Sequence, residues 1–163
     1  MKIRRLILSV ISSLLVILWI AFIFSNSAKP ATVSDGHSSK IVEFIVENVL
    51  QEQSEEIGTE GMQFINHIVR KCAHFVEFAI LSFLICFSFL FWNIKKNIAR
   101  LLPAVISFFI ACCDECIQYF VPGRACRLTD VLIDTSGAVS ALLIYLFVIN
   151  LYYKYRSSRG ENE

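Results

Sequence analysis

A row of ionisable side chains lies in a stretch of the sequence that is otherwise mostly apolar. Its five residues occur at offsets of 0, 3, 4, 7 and 10, so a helix places them on one face. Imidazole and carboxyl groups in such a row can transfer protons or hold a polar ligand, and basic groups can bind phosphate or carboxylate. The row consists of His67, Arg70, Lys71, His74 and Glu77.

A second polar group ends an apolar run and continues through a connector. Asp114 and Gln118 are four residues apart and share one helical face, whereas Glu115 lies about 100° around the helix from Asp114. One of the two acids is therefore expected to face the centre of a site, while the other braces an arginine or a neighbouring helix. We favour Glu115 as the residue that faces the centre. The connector and the next apolar run add Arg124, Arg127, Asp130 and Asp134.

Apolar runs of membrane-spanning length must position these polar residues. The 163-residue sequence is 56% hydrophobic and only 18% charged, which is typical of an integral membrane protein rather than a soluble domain. At a rise of 1.5 Å per residue, about 20 apolar residues cross the roughly 30 Å hydrocarbon core of a bilayer. We therefore predict one all-α domain over residues 1–163, an integral membrane four-helix bundle. Its four spans are predicted at about residues 6–24, 72–91, 101–121 and 131–153.

The basic residues predict how the bundle is oriented. The first run, residues 6–24, is longer than the core of a cleavable signal peptide, so a retained first helix is favoured. With four spans, nine basic residues in three groups lie on one side, and the positive-inside rule places that side and both termini in the cytoplasm. Residues 25–69 then lie outside the cell membrane. Apolar residues recur at spacings of three and four over about 41–50, which predicts an extracytoplasmic amphipathic helix that covers the bundle.

Charge and cysteine content argue against several other classes of protein. A net charge of +1 provides no strong field for nucleic acid. Six cysteines fall mostly inside apolar runs, which favours free thiols over a disulfide framework, although a bond between Cys72 and Cys126 stays open. Cys113 and Cys116 form an isolated pair, too few ligands for a structural zinc site.

The last apolar run carries small residues at a four-residue spacing. Gly137 and Ala141 form one such stripe, and Ser136 and Ser140 form another. Stripes of this kind allow two helix backbones to approach closely in a membrane. We therefore predict close packing of the fourth span against a neighbour.

Three stretches of the sequence together resemble a known family. They are FSNS at 24–27, RKCAHFVEFAILSF at 70–83, and DECIQYFVPGRACRLTDVLIDTSGA at 114–138. In this order on four predicted spans, they resemble the VanZ-like family of membrane proteins. The resemblance implies a multi-pass protein of the bacterial cytoplasmic membrane that acts in the cell envelope. The namesake of the family accompanies glycopeptide-resistance genes and is linked to resistance against teicoplanin, a lipid-bearing glycopeptide.

The polar residues predict a ligand site in the outer half of the membrane. Its bases would hold an anionic headgroup, and its acids would orient those bases or meet amine and hydroxyl groups. The expected partners are a membrane lipid, a lipid-linked cell-wall precursor or a lipoglycopeptide, and no nucleic acid. The predicted ligand-binding residues are Arg70, Lys71, His74, Glu77, Asp114, Glu115, Gln118, Arg124, Arg127, Asp130 and Asp134.

Other interpretations of the same residues stay open. A membrane-embedded enzyme would modify a headgroup by acid/base chemistry, with His74, Glu77, Asp114 and Glu115 as candidate catalytic residues. Alternatively, the charges pair with one another and fix the packing of the helices. A transporter is disfavoured because the cytoplasmic halves of the spans are apolar. We expect neither a metal nor a cofactor, although a metal held by His74, Glu77 and a further acid is conceivable.

Overall fold

A computed structural model describes residues 2–33, 36, 39, 42–44 and 58–159 of the chain, without the side chains of residues 2 and 96. The described residues form helices and connecting turns and contain no β-strand. This confirms the predicted all-α class. The helices are α1 (Lys2–Ser27), α2 (Thr59–Trp92), α3 (Lys96–Ala99), α4 (Leu102–Tyr119) and α5 (Leu128–Ser158).

Four of these helices are long and apolar enough to cross a membrane, as predicted. They are α1, α2, α4 and α5, and their order along the chain matches the four predicted spans. The second begins at Thr59, well before the predicted start at residue 72. Its 34 residues reach about 51 Å, which exceeds the roughly 30 Å hydrocarbon core. The polar row therefore lies within a continuous helix that is longer than the membrane is thick.

Local sequence explains where the helices begin and end. Pro103 lies in the first turn of α4, where its missing N–H removes no intrahelical hydrogen bond. Asn93 ends α2 in the left-handed conformation with a φ of 57°, which asparagine tolerates better than most residues. Gly123, with a φ of 77°, makes the turn between α4 and α5. The α4–α5 connector is short, so these helices form an antiparallel pair.

Helix α2 lies at the centre of the bundle and packs against α1, α4 and α5. Its buried residues Phe78, Leu81 and Ile85 form the middle of the apolar core. The outer surfaces of the helices expose many large hydrophobic side chains, as expected for helices in contact with lipid rather than water. The core is completed by Ile23 of α1, Ala111 of α4, and Val131 and Ala138 of α5.

Gly137 of α5 packs directly against the backbone of α2. A Cβ atom at this position would lie 3.0 Å from the carbonyl carbon of Phe75 and 3.1 Å from its Cα, with the carbonyl oxygen closer still. Only glycine therefore allows the two backbones to pack at this distance. This confirms the close contact that the small-residue stripe predicted for Gly137, although Ser136 is exposed. The contact places Asp134, one turn earlier on α5, beside the turn of α2 that carries His74.

Two hydrogen bonds at different levels of the bundle show that α1 and α2 run in opposite directions. At one end, Arg5 of α1 donates from Nε to the backbone oxygen of Phe91 in α2, at 3.0 Å. Nearer the other end, Trp19 of α1 donates from Nε1 to the backbone oxygen of Glu77, at 2.9 Å. The first end also contains a cavity of about 180 Å³. Its lining includes Phe89, Asn93, Arg100, Tyr145, Asn150 and Tyr153.

Two predictions about the outer segment are not tested by the described residues. The amphipathic helix was expected at about residues 41–50, of which only 42–44 are described, and the rest lie outside the described residues. Those three residues are helical, and Val42 is buried. The orientation of the bundle, with both termini in the cytoplasm, stays a prediction from the positive-inside rule.

Candidate functional site

Polar residues from four helices meet at one end of the bundle. This end is formed by the last turn of α1, the first half of α2, the last turns of α4 and the first turns of α5. Its carboxylates are deeply buried: Asp114 and Asp134 are 0% exposed and Glu115 is 1% exposed. A charged group in the hydrocarbon region costs roughly 2.5–3.5 kcal/mol or more. The fold keeps these acids in spite of that cost, which is typical of a functional site.

Three residues from three different helices form the middle of this site, and we refer to them as the central cluster. His74 comes from α2, Asp114 from α4 and Asp134 from α5. One potential ligand atom from each lies within 4.8 Å of the other two. His74 Nδ1 is 3.6 Å from Asp134 Oδ1, which is too long for a hydrogen bond. The three side chains thus approach one another without bonding directly.

Hydrogen bonds hold the carboxylate of Asp114 in a defined orientation. Its Oδ2 atom accepts from Ser27 Oγ at 2.7 Å and from Gln118 Nε2 at 2.9 Å. Gln118 lies one turn further along α4, whereas Ser27 is the last residue of α1. Both donors act on the same oxygen, and Oδ1 has no hydrogen-bond partner among the described residues. The first helix therefore contributes to the site through Ser27.

Asp134 is the least satisfied acid of the site. Neither of its carboxylate oxygens has a hydrogen-bond partner among the described residues, and His74 Nδ1 also lacks one. Unpaired polar atoms at zero exposure are rare in folded proteins because they lose their contacts with water and gain none in return. The central cluster therefore has unpaired polar atoms that a proton, a cation or a polar group of a ligand would satisfy.

Glu115 has a different role from its neighbour Asp114. Its Oε2 atom accepts from the backbone N–H of Arg127 at 2.7 Å. Arg127 is the residue that precedes the first turn of α5, so Glu115 ties the end of α4 to the start of α5. We favoured Glu115 as the acid that faces the centre of the site, but Asp114 takes that position. The rotation of α4 about its axis, which the sequence pattern leaves undetermined, decides between them.

Basic residues lie above the central cluster, and we refer to Arg70, Lys71, Arg124 and Arg127 as the basic rim. Lys71 Nζ forms a 2.8 Å ion pair with Asp130 Oδ1, joining α2 to the first turn of α5. Arg127 is exposed, whereas Arg70 and Arg124 are half-buried. All four predicted bases thus lie at the same end of the bundle as the buried acids.

Arg124 is the basic residue most closely connected to the acids below it. Its Nη2 atom donates to the backbone oxygen of Asn26 at 3.3 Å. Its guanidinium also interacts electrostatically with His74, Glu77 and Asp114. The α4–α5 connector therefore places a positive charge over the carboxylates that α2 and α4 contribute.

Two residues at the end of α1 belong to the site although the sequence analysis did not include them. Asn26 donates from Nδ2 to Glu77 Oε1 at 3.1 Å and accepts from Lys29 Nζ at 2.9 Å. Ser27, its neighbour, is 1% exposed and binds Asp114. The signal that would have found them is the polar pair in FSNS at the end of a strongly apolar run, which is one of the stretches that carries the family resemblance.

The predicted site residues thus fall into two layers. The buried layer contains the central cluster with Glu115, Gln118 and half-buried Glu77, and the outer layer contains the basic rim with Asp130. Cys72 and Cys126 are free and exposed, so the disulfide that the sequence left open is not present. Cys113 and Cys116 are exposed on α4 and, unlike Asp114 and Glu115 between them, lie outside the buried layer.

Four apolar helices around a buried polar site define a multi-pass membrane protein. A family model described as VanZ/LLP1 matches residues 12–150, which reach from within α1 to within α5 and include every residue of the polar site. The chain belongs to the VanZ/LLP1 family, as the three sequence stretches predicted. We found no curated protein and no solved structure that matches the chain.

Proposed function

We propose that the protein binds an anionic component of the bacterial cell envelope at the polar end of its bundle. The observation that carries the proposal is the arrangement of Arg124, a half-buried base held over buried acids by the end of α1. A guanidinium in this position presents several donors in a fixed plane, which matches the oxygens of a phosphate or a carboxylate. Electrostatic attraction to the acids beneath it holds the guanidinium in place.

The burial of the acids limits which residues a headgroup can contact. The carboxylates of Asp114 and Asp134 are closed off, so a large headgroup would first meet the basic rim. Asp130 already pairs with Lys71, which reduces the net positive charge of the rim without removing it. We therefore infer that the anionic part of the ligand binds to the rim and that an amine or hydroxyl group, if present, is oriented toward the acids.

The membrane-spanning helices favour a ligand that has both an apolar chain and a polar headgroup. The exposed apolar surfaces of the helices allow acyl chains to lie along the bundle while the headgroup reaches its polar end. An envelope lipid, a lipid-linked cell-wall precursor and a lipoglycopeptide share this combination of apolar chain and polar headgroup. Binding of a lipoglycopeptide would link the site to teicoplanin-type resistance, in line with the namesake of the family.

A binding experiment with purified protein tests the proposal. The full chain is incubated with vesicles of neutral lipid that contain a minor fraction of phosphatidylglycerol, and the retained lipid is measured by native mass spectrometry. We expect enrichment of the anionic lipid by wild-type protein and its loss in Arg124→Ala, with partial retention in Arg124→Lys. Arg100→Ala, at the opposite end of the bundle, is the matched control and should behave as wild type. Equal enrichment by Arg124→Ala and wild type would refute the proposal.

The same variants can be compared in cells. Expression of the wild-type protein in a susceptible host should change the minimum inhibitory concentration of teicoplanin, and Arg124→Ala should remove that change at equal protein level. Vancomycin, a glycopeptide without the lipid chain, is the control compound. A wild-type effect of equal size on both compounds would argue against recognition of the lipid-bearing molecule.

A second candidate function is acid/base modification of a headgroup, which one observation favours. His74 Nδ1 lies 3.6 Å from the buried Asp134 Oδ1, and neither atom has a hydrogen-bond partner among the described residues. Such a pair can accept and return a proton when a substrate hydroxyl or amine enters. Lipid extracts from cells with wild-type protein and with His74→Gln would test this: a species present only with the wild type supports an enzyme, and identical extracts contradict it.

A further inference from the structure

We propose that His74, Asp114 and Asp134 form a binding site for a divalent transition-metal cation, with Zn²⁺ as the best-matched ion. The three residues belong to α2, α4 and α5, so a bound ion would join three membrane spans at one point. The inference rests on the central cluster alone and stands whether or not the basic rim binds an envelope component. It departs from the sequence-based expectation of no metal.

The geometry of the cluster fits a shared ion. One ligand atom from each residue lies within 4.8 Å of the others. Ligand atoms bonded to one zinc at about 2.0–2.2 Å are separated by somewhat less than this, on the order of 3–4 Å. Small side-chain rotations therefore bring all three atoms into bonding distance, and the backbone positions of the helices need not change.

The unpaired atoms of the cluster are the ones that a metal would use. Asp114 Oδ1, both oxygens of Asp134 and His74 Nδ1 are buried and have no hydrogen-bond partner among the described residues. Asp134 is 0% exposed, so water does not compensate for the missing partners. A divalent cation between these atoms would satisfy all three side chains and offset the repulsion between the two carboxylates.

The surroundings of Asp114 have the form of a second coordination shell. Ser27 and Gln118 both donate to Oδ2, which holds the carboxylate and leaves Oδ1 without a hydrogen-bond partner among the described residues. Metal-binding carboxylates are commonly held in this way by hydrogen bonds to the oxygen that does not bind the metal.

The donor set and the burial together select the kind of ion. One imidazole and two carboxylates favour a first-row divalent ion such as Zn²⁺ over Mg²⁺ or Ca²⁺, which prefer oxygen ligands alone. The full burial of both aspartates favours an ion over a headgroup, because an ion fits between side chains that a larger group would have to separate. Three protein ligands also leave a coordination position for water or for an oxygen of a ligand.

Glu77 is not part of the proposed ligand set. The sequence suggested His74, Glu77 and a further acid as a conceivable metal site, but Glu77 accepts a hydrogen bond from Asn26 and lies outside the three-residue cluster. Any test must distinguish zinc held by this cluster from zinc bound adventitiously to the thiols of Cys113 and Cys116, since both are exposed. Sulfur and oxygen ligands differ in their distance from zinc, about 2.3 Å against about 2.0–2.2 Å.

The experiment uses the full chain in detergent, freed of any polyhistidine tag and dialysed against a chelator. Zn²⁺ is then titrated by calorimetry, and the bound metal is counted by mass spectrometry. We expect one equivalent per chain for wild type and none for His74→Ala or Asp134→Asn. Ser27→Ala, which disturbs only the support of Asp114, should weaken binding by roughly 10–100-fold. Glu60→Gln, which removes an exposed acid in the first turn of α2, about four turns away from His74, is the matched control and should bind as wild type.

X-ray absorption on the zinc-loaded wild-type protein keeps the inference testable even if an aspartate variant fails to fold. Nitrogen and oxygen ligands at about 2.0–2.2 Å, including one imidazole, are expected. Sulfur ligands at about 2.3 Å would place the metal on the cysteines and overturn the proposal. So would a wild-type protein that retains no stoichiometric zinc, or an Asp134→Asn variant that is folded and binds zinc with unchanged affinity.

Discussion

Replacing Gly137 with alanine is expected to separate α2 from α5 and to disturb the central cluster from one turn away. The new Cβ would lie 3.0 Å from the carbonyl carbon of Phe75, whereas non-bonded carbon atoms prefer about 3.5–4.0 Å. The atoms in conflict belong to the backbone of a long helix, so they cannot rotate away as a side chain would. The two helices must therefore move apart by on the order of 0.5–1 Å.

The size of the effect follows from two opposing contributions. Overpacking of a close contact costs about 1–3 kcal/mol, and a clash with backbone belongs to the upper part of that range. Alanine has a higher helix propensity than glycine by about 1 kcal/mol, which offsets part of the cost. A net loss of about 1–2 kcal/mol is expected, and at this chain length each kcal/mol lowers the melting temperature by roughly 2–4 °C.

The assay for Gly137→Ala combines stability with the state of the site. Thermal unfolding in detergent should show a lower melting temperature, and zinc binding should weaken because His74 and Asp134 move apart. Gly58→Ala is the matched control, since its Cβ meets no atom within 4 Å. If Gly137→Ala unfolds at the wild-type temperature and binds zinc equally well, the close contact does not position the site and the reasoning is wrong.

Three further predictions concern the outer layer, the support of the cluster and the orientation of the bundle. Lys71→Met should change the free energy of unfolding by less than about 1 kcal/mol, because its ion pair with Asp130 is partly exposed; a loss of several kcal/mol, measured by thermal unfolding against wild type, would contradict this. Ser27→Ala should lower stability by about 1–3 kcal/mol, since it removes a buried hydrogen bond to the carboxyl group of Asp114, whereas the exposed Ser136→Ala should be neutral; equal melting temperatures for the two variants would refute that difference. A membrane-impermeant maleimide should label a chain that retains only Cys126 in intact cells, and labelling only after lysis would place the polar end in the cytoplasm.

Much of the fold could be predicted from the sequence because a bilayer imposes simple requirements. A helix that crosses it needs about 20 apolar residues, and all backbone groups must be paired within the segment. The four runs therefore identified the four long helices. Helix α2 begins at Thr59, before the predicted span starts at about residue 72, because the helix continues beyond the apolar run into residues that hydropathy does not mark.

The site could be predicted only in part. Helical spacing brought His74 and Glu77 to one face of α2, and antiparallel spans brought Asp114 and Asp134 to the same end of the bundle. The prediction that Glu115 rather than Asp114 faces the centre of the site was wrong. The two side chains point about 100° apart around the helix axis, and only packing against three neighbouring helices sets the rotation of α4. Ser27 was missed for a related reason, since its partner on α4 is 87 residues away in the chain.

The sequence by itself determined the class of the protein, the number of spans and the set of polar residues that share one end of the bundle. These properties depend on composition and on periodicity along single helices, which a linear pattern records. The tertiary structure decided which atoms meet. The close contact at Gly137 sets the distance between α2 and α5, and the hydrogen bond from Ser27 holds the carboxylate of Asp114, which lies beside His74 and Asp134. Those relations depend on the rotation and separation of neighbouring helices, which no single segment of the sequence specifies.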